Sequence, residues 1–274
     1  MSAAATMIML DGISISYTVH PGVDPTIICL HGNSLSKAEF ADLVEQDAVS
    51  GNRIIAVDLP GHGDSDRPAD TRVYSLHGYG RLIGELIDQL DIRDFVLVGV
   101  SLGGHIAFQS AAAGLVPRPR GIACFGSPPI GEIADFSRGY LPQPDNLSLF
   151  RGEIDPATAR EIANVMTVDK PAQEAAATAI LATDPAARTA LLASLGSDPL
   201  KNEREFVAST TIPIRLCYDR NERVVNTEYL SESGLAAGIP DSIVWFDGAD
   251  HLPRMGDVAR VLADLISDTG PAGG

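Results

Sequence analysis

Short apolar runs alternate with amphipathic segments along most of the chain. The runs that are typical of buried strands cover 26–30, 53–58, 95–98, 121–126, 212–218 and 243–246. Apolar residues recur at helical spacing between them, as in 76–90. Met7 to His20 has the pattern of a hairpin, with Asp11-Gly12 at the turn. Since strands that alternate with helices build a parallel sheet covered on both faces, the pattern predicts an α/β fold with a mostly parallel central sheet.

The alternation stops in the middle of the chain. From about Ser127 to about Ser209 no run is typical of a buried strand, and short segments rich in alanine and leucine predict helices. Each of Asp155-Pro156, Asp184-Pro185 and Asp198-Pro199 predicts a capping aspartate before the first turn of a helix. We therefore predict a core formed by 1–126 and 210–274, and a helical cap formed by 127–209. The candidate pocket residues of this cap are Phe136, Tyr140, Leu147, Leu149, Phe150 and Met166.

A G-x-S-x-G pattern centred on Ser101 links a predicted strand to a predicted helix. Phe95-Val96-Leu97-Val98 leads into it, and small and apolar residues follow it. Strand, tight turn and helix together form a nucleophile elbow, which lifts a serine hydroxyl above the sheet. Glycines flank such a serine because side chains there clash across the turn. The pattern predicts that Ser101 is a nucleophile rather than part of a structural turn.

A serine nucleophile needs a base, and the base needs an acid that fixes its tautomer. After such an elbow, the acid comes next in the chain and the histidine last. His251 follows the last predicted strand, which is where the base is expected. Two carboxylates follow the strand before it, Asp219 and Glu222. Glu222 is favoured because it lies deeper in the loop and has the longer side chain, whereas Asp219 also fits a turn-capping aspartate.

Acyl transfer also requires two backbone N–H groups that stabilise the negative charge on the former carbonyl oxygen. One is expected from Leu102, the residue after the nucleophile. The other is expected from Asn33, in the loop after the strand 26–30. The Asn33 side chain is a second possible donor to a substrate oxygen, and a left-handed turn residue is the alternative interpretation of this position.

Composition limits the possible partners and cofactors. The 274 residues include 20 basic and 36 acidic side chains, a net charge of −16, which disfavours nucleic acid, anionic membranes and polyanionic substrates. The six histidines form no metal-binding pair, and no glycine-rich nucleotide motif follows the first strand, so neither a metal nor another cofactor is predicted. Cys29, Cys124 and Cys217 lie in predicted core strands and predict no disulfide. With no signal-peptide pattern and no long apolar run, the expected location is cytoplasmic.

These residues carry a family resemblance. His31-Gly32, Asp58-Leu59-Pro60-Gly61-His62-Gly63, the elbow motif and the late His251 resemble the α/β-hydrolase superfamily over almost the whole chain. Longer stretches are similar to the metal-independent N-acyl-homoserine lactonases of this fold: His31-Gly32-Asn33-Ser34, Tyr74-Ser75 with Gly78-Tyr79, Ser101-Leu102-Gly103-Gly104-His105-Ile106 and Ser127-Pro128-Pro129. The resemblance implies an α/β-hydrolase fold with a helical cap insertion.

The resemblance also bears on the site. It implies a Ser-Glu-His triad whose acid is Glu222, and it implies that Asn33 lies beside a lactone carbonyl. The chain departs from the family at two positions: Asp219 stands where the family has glycine, and Ala159 where it has a cap tyrosine.

The function expected from these residues is a cofactor-free serine hydrolase that opens the ring of N-acyl-homoserine lactones, a quorum-quenching activity. The alternatives are a small-ester carboxylesterase with the same residues, because a fold does not fix its substrate, and a non-enzymatic sensor that binds the signal. An intact triad argues against the sensor.

Overall fold

The computed structural model describes residues 5–142, 149–248 and 250–269. Within these residues eight strands form one sheet in the order β1-β2-β4-β3-β5-β6-β7-β8. All neighbouring strands from β4 to β8 pair in parallel, whereas β2 pairs antiparallel with both β1 and β4. The strands are β1 (Ala5–Leu10), β2 (Ile13–His20), β3 (Val23–Leu30), β4 (Asn52–Val57), β5 (Phe95–Val100), β6 (Gly121–Phe125), β7 (Ile214–Asp219) and β8 (Ile243–Phe246).

The predicted hairpin is confirmed. Leu10 pairs with Ile13, and the two residues between them, Asp11 and Gly12, both have positive φ, 48° and 78°. Two consecutive residues with positive φ are the signature of the turn whose twist matches that of a hairpin. The predicted α/β fold with a mostly parallel sheet is confirmed as well.

Helices cover both faces of the sheet. Their bounds are α1 (Leu76–Gln89), α2 (Leu102–Ala112), α3 (Phe136–Gly139), α4 (Pro156–Met166), α5 (Lys170–Ala182), α6 (Pro185–Ser197), α7 (Glu203–Ser209), α8 (Glu228–Glu232), α9 (Leu235–Gly238) and α10 (Met255–Thr269). One large apolar cluster joins α1 and α2 to the sheet, and a second cluster on the other face joins α10 and the 3₁₀ segment Lys37–Glu45 to it. The three cysteines are buried in β3, β6 and β7 as free thiols.

Between β6 and β7 the described residues form helices and no strand. Five helices, α3 to α7, lie in this part of the chain. Residues of α4 and α5 bury their own apolar cluster with Leu35 and Leu149, which is separate from the two clusters on the sheet. This arrangement is consistent with a cap, and the division at 127 and 209 stays a prediction. Leu147, one of the candidate pocket residues, lies outside the described residues.

Two of the three predicted helix caps are correct. The Asp155 and Asp184 carboxylates accept N–H bonds at the starts of α4 and α6. Asp198 instead ends α6, because its own N–H donates to the Ser194 carbonyl. The next helix, α7, is capped four residues later by Asn202. Helix α5 is capped by Asp169, which the Asp-Pro pattern did not indicate because a lysine stands between this aspartate and the next proline.

Among the described residues, no helix is both long and apolar enough to cross a membrane.

Candidate active site

Ser101 lies on a sharp turn between β5 and α2. Its backbone has φ 50° and ψ −111°, a conformation that is strained for a residue with a side chain. The turn is tight on both sides: a Cβ on Gly99 would lie 2.3 Å from the Gly103 carbonyl carbon, and a Cβ on Gly103 would lie 2.0 Å from the Leu30 carbonyl oxygen. Both positions therefore require glycine. This is the geometry of the predicted elbow, with the serine at the carboxyl end of a central strand.

His251 and Glu222 lie at the same edge of the sheet, after β8 and β7. The His251 Nδ1 atom is 3.1 Å from one Glu222 carboxylate oxygen and 3.2 Å from the other. Both side chains are buried, with 1 % and 2 % of their surface exposed. The backbone N–H groups of Val224 and Val225 also donate to Glu222 Oε1, at 2.8 and 3.3 Å. A carboxylate held in this way accepts the Nδ1 proton and leaves Nε2 of the imidazole as the basic nitrogen.

The His251–Glu222 pair shifts the pKa values of both groups. Burial disfavours the charge on His251, but the Glu222 carboxylate and its hydrogen bond outweigh burial, so the pKa of His251 is raised. Burial also opposes ionisation of Glu222. The charge on His251 and the hydrogen bonds that Glu222 accepts outweigh burial, so the pKa of Glu222 is held below its usual value. Glu222 therefore stays ionised and favours the protonated form of the imidazole, which is what a triad acid does.

Asp219, the other candidate acid, has a local role. Its Oδ1 atom accepts the N–H of Asn221 at 2.7 Å, so it caps the turn that follows β7. Of the two carboxylates, it is Glu222 that bonds His251.

The loop after β3 packs against Ser101. A Cβ on Gly32 would lie 3.6 Å from the Ser101 Cβ atom. The Asn33 side chain donates to the Leu149 carbonyl at 3.2 Å and accepts from the Ser34 hydroxyl. The left-handed residue of this loop is Ser34, with φ 61°, and not Asn33, so the turn interpretation of Asn33 is wrong. The backbone N–H of Leu102 belongs to the first turn of α2, beside Ser101.

The two histidines beside this loop have structural contacts. Nε2 of His31 accepts the N–H of Leu59, and Nε2 of His62 accepts the N–H of Ser34. Burial lowers their pKa values to about 4 and about 3, so both rings are neutral. No group of three metal-ligating side chains occurs within the residues that the structure describes.

The junction of α4 and α5 is bonded directly to the loop that carries His251. The N–H groups of His251 and Leu252 both donate to the Met166 carbonyl, at 3.0 and 3.1 Å. In return the N–H of Val168 donates to the Asp250 carboxylate at 2.7 Å. The junction of α4 and α5 therefore fixes the backbone on which the imidazole sits.

The other candidate pocket residues differ in their positions. The Met166 side chain is buried in the cluster of α4 and α5, as is most of Leu149. Phe136 and Phe150 are partly buried against the large cluster of α1 and α2. Tyr140 is half-buried, and its hydroxyl lies 2.5 Å from His105 Nε2.

Sequence reasoning missed two buried carboxylates near the site. Glu39 accepts the N–H of Gly32 at 3.1 Å, and burial raises its pKa to about 7. Glu203 accepts from His105 Nδ1 at 2.8 Å, and His105 Nε2 lies 2.5 Å from the Tyr140 hydroxyl. The only sequence signal for this second pair was His105, in the first turn of the helix after the elbow. Its partners come from two distant segments that no motif connects.

Comparison with known proteins agrees with this geometry. A family model described as "Alpha/beta hydrolase family" matches residues 27–265. Among curated relatives, a haloalkane dehalogenase from Mesorhizobium japonicum is 35% identical over 99 residues, which are 36% of this chain and 31% of that protein. An epoxide hydrolase from Caballeronia sordidicola is 37% identical over 105 residues, which are 38% of this chain and 31% of that protein. The matches thus span about a third of these relatives.

Solved structures match over nearly the full chain. N-acyl homoserine lactonase AidH complexed with N-butanoyl homoserine has a TM-score of 0.88 and is 28% identical, over 99% of both chains. A mutant of AidH complexed with N-hexanoyl homoserine lactone has the same TM-score, 0.88, and is 27% identical over 98% of this chain and 100% of that chain. Esterase RhEst1 from a Rhodococcus species, 22% identical with a TM-score of 0.77 over 100% of both chains, shares the fold. The chain belongs to the alpha/beta hydrolase family, and the prediction of a hydrolase with this fold is confirmed.

Proposed function

We propose that this protein is a serine hydrolase that opens the ring of N-acyl-homoserine lactones, with Ser101, His251 and Glu222 as its triad. One observation carries the proposal: a buried His251–Glu222 pair, 3.1 Å apart, lies at the same sheet edge as a serine held at φ 50°. The backbone strain at Ser101 costs stability, and both such strain and shifted pKa values like those of His251 and Glu222 are typical of functional sites. A protein that only binds the signal needs neither.

The reaction needs no group beyond these side chains and water. The Ser101 oxygen adds to the ring carbonyl while Nε2 of His251 takes the hydroxyl proton. The N–H groups of Asn33 and Leu102 stabilise the oxyanion. The bond from the carbonyl carbon to the ring oxygen then breaks, and His251 returns its proton to that oxygen, which leaves a ring-opened acyl group on Ser101. Water, deprotonated by His251, releases the N-acyl homoserine and restores the Ser101 hydroxyl.

The lactone is favoured over other esters by the similarity to AidH, whose structures hold N-butanoyl homoserine and N-hexanoyl homoserine lactone. The chain carries the loop residue Asn33 implied by that resemblance, next to Gly32, where an added Cβ would lie 3.6 Å from the Ser101 Cβ atom. At Ala159, where the family's cap tyrosine is expected, the side chain is fully buried within the cap. A tyrosine contact with the substrate therefore has to come from elsewhere. Quorum quenching and a cytoplasmic location stay predictions.

The test is a panel of acyl-homoserine lactones and open-chain esters, with the products identified by mass and Ser101→Ala as the blank. We expect the lactones to gain one water, and we expect the variant to fold normally while losing nearly all turnover, on the order of 10⁶-fold. Turnover of open-chain esters alone would replace the lactonase proposal with a carboxylesterase. Equal turnover by Ser101→Ala would refute the serine mechanism.

A further inference from the structure

Glu39 lies in the first turn of the 3₁₀ segment Lys37–Glu45 and reaches back to the loop after β3. Its Oε2 atom accepts the N–H of Gly32 at 3.1 Å, and Gly32 is the residue whose added Cβ would lie 3.6 Å from the Ser101 Cβ atom. Within the described part of the chain, Glu39 Oε1 is buried and has no hydrogen-bond partner. Because such an oxygen costs stability, a carboxylate that is kept here is expected to do more than fill space.

The carbonyl of Gly32 is held as firmly as its N–H. It accepts from His31 Nδ1 at 2.8 Å and from the N–H of Leu35 at 3.1 Å. The tautomer of His31 follows from its two partners, because the Gly32 carbonyl can only accept and the N–H of Leu59, which bonds Nε2, can only donate. Glycine has the greatest backbone freedom of any residue, so these contacts determine how both of its peptide groups are oriented.

The peptide group that follows Gly32 carries the N–H of Asn33. Since this peptide is trans, the bonds to the Gly32 carbonyl also set the direction of that N–H. The neighbouring N–H groups of the loop each have an acceptor: Gly32 has Glu39, Ser34 has His62, and Leu35 has the Gly32 carbonyl. Among the described residues the N–H of Asn33 has no acceptor, although Asn33 is only 8 % exposed. An N–H of a buried residue is rarely left unpaired, so this one is available to a ligand oxygen.

We propose that Glu39 is a positioning residue for the oxyanion: by holding the N–H of Gly32, it fixes the direction in which the N–H of Asn33 meets the substrate oxygen. The inference rests on the proposed function, in which Asn33 is an oxyanion donor. Glu39 acts through Gly32 rather than by contact with the substrate, and the contact does not need its charge. A neutral carboxyl group still has a carbonyl oxygen that accepts an N–H, so the contact persists although burial raises the pKa of Glu39 to about 7.

Three variants separate the hydrogen bond of Glu39 from its charge and its bulk. Glu39→Gln removes the charge and keeps an acceptor, because the N–H of Gly32 selects the amide oxygen over the NH₂ group. Glu39→Met removes both the charge and the acceptor at a similar side-chain length. Glu39→Asp keeps a carboxylate but withdraws it from Gly32 by one methylene. Glu45→Met, at an exposed glutamate of the same 3₁₀ segment, is the matched control.

The measured quantity is the preference for a carbonyl over a thiocarbonyl at the scissile carbon. Sulfur is the weaker hydrogen-bond acceptor, so its hydrolysis depends less on the oxyanion donors. One substrate pair is p-nitrophenyl acetate and its analogue with sulfur in place of the carbonyl oxygen, and the other is N-hexanoyl homoserine lactone and its analogue with the same replacement. The ratio of kcat/KM values within a pair cancels any loss that both members share, such as damage to the base.

All ratios are measured at a pH above the fall attributed to His251, because the charge of Glu39 also raises the pKa of that residue. We expect Glu39→Met and Glu39→Asp to reduce the preference for the carbonyl about tenfold in each pair that the wild type hydrolyses, and Glu39→Gln and Glu45→Met to leave it unchanged. Deleting a whole oxyanion donor costs about 10²–10³, and here the N–H is misplaced rather than lost.

An unchanged preference in either Glu39→Met or Glu39→Asp, once thermal unfolding shows the variant to be folded, would overturn the inference. Equal losses in Glu39→Met and Glu39→Gln would overturn it as well, since they would assign the effect to the charge. If the wild type hydrolyses only the p-nitrophenyl pair, the lactonase proposal fails, while that pair still decides the role of Glu39. If it hydrolyses neither pair, both proposals fail.

Discussion

Replacing Glu222 by glutamine tests the acid of the proposed triad, and the structure predicts how the new side chain will sit. Glu222 Oε1 accepts three backbone N–H groups, from Arg223 at 3.0 Å, Val224 at 2.8 Å and Val225 at 3.3 Å. The amide oxygen of glutamine takes this place, because an NH₂ group cannot accept those bonds. The NH₂ group then replaces Oε2, 3.2 Å from His251 Nδ1, where it can donate to this nitrogen. Such a bond favours the tautomer with the proton on Nε2, which cannot accept the proton of Ser101.

The expected loss in kcat is on the order of 10⁴, the usual cost of the wrong tautomer in such a triad. At ~1.4 kcal/mol for each factor of ten, this is ~5.5 kcal/mol of transition-state stabilisation. The assay is kcat for p-nitrophenyl acetate, with thermal unfolding to verify that the variant folds. Asp219→Asn is the matched control, because its amide oxygen can still accept the N–H of Asn221, and its effect should be mild. If Asp219→Asn were the crippling change, or if Glu222→Gln kept most of its activity, the reasoning would be wrong.

Two further predictions concern the base and the elbow. The protonated His251 ring cannot act as a base, so kcat/KM should fall as the pH drops through the pKa of His251. Because that pKa is raised, the midpoint of the fall should lie above ~6.5, the ordinary pKa of histidine. A pH profile with its midpoint below that value would contradict the argument. Gly103→Ala should lower the free energy of unfolding by at least ~1–3 kcal/mol, because its Cβ would lie 2.0 Å from the Leu30 oxygen. Gly51→Ala, where no atom lies within 4 Å of the added Cβ, is the control, and chemical denaturation that finds the two variants equally stable would refute the packing argument.

The elbow and the position of His251 could be predicted from the sequence because the signals for both are local. The glycines around Ser101 are required by backbone contacts within a few residues, and His251 follows a strand that is readable as a run of apolar residues. The choice between Asp219 and Glu222 is a question of three-dimensional reach. Loop length favoured Glu222, and the distance to His251 agrees with that choice.

The parts that escaped prediction depend on contacts between distant segments. His105, Glu203 and Tyr140 come from α2, α7 and the residue after α3, and their pairing requires these three segments to be folded together. Asp198-Pro199 has the same local pattern as the two helix caps that were predicted correctly. It ends a helix instead because the preceding α6 continues to Ser197, and local preference does not determine how far a helix extends.

The measurement that tests the central claim most directly is the identity of the residue that carries the acyl group during turnover. The enzyme is mixed with p-nitrophenyl acetate, quenched with acid within the first turnovers, digested and mapped by mass spectrometry. We predict one acetyl group, located on Ser101 and absent from Ser101→Ala. Full turnover with no acylated peptide at any time, or an acetyl group on another residue that persists in Ser101→Ala, would contradict the account.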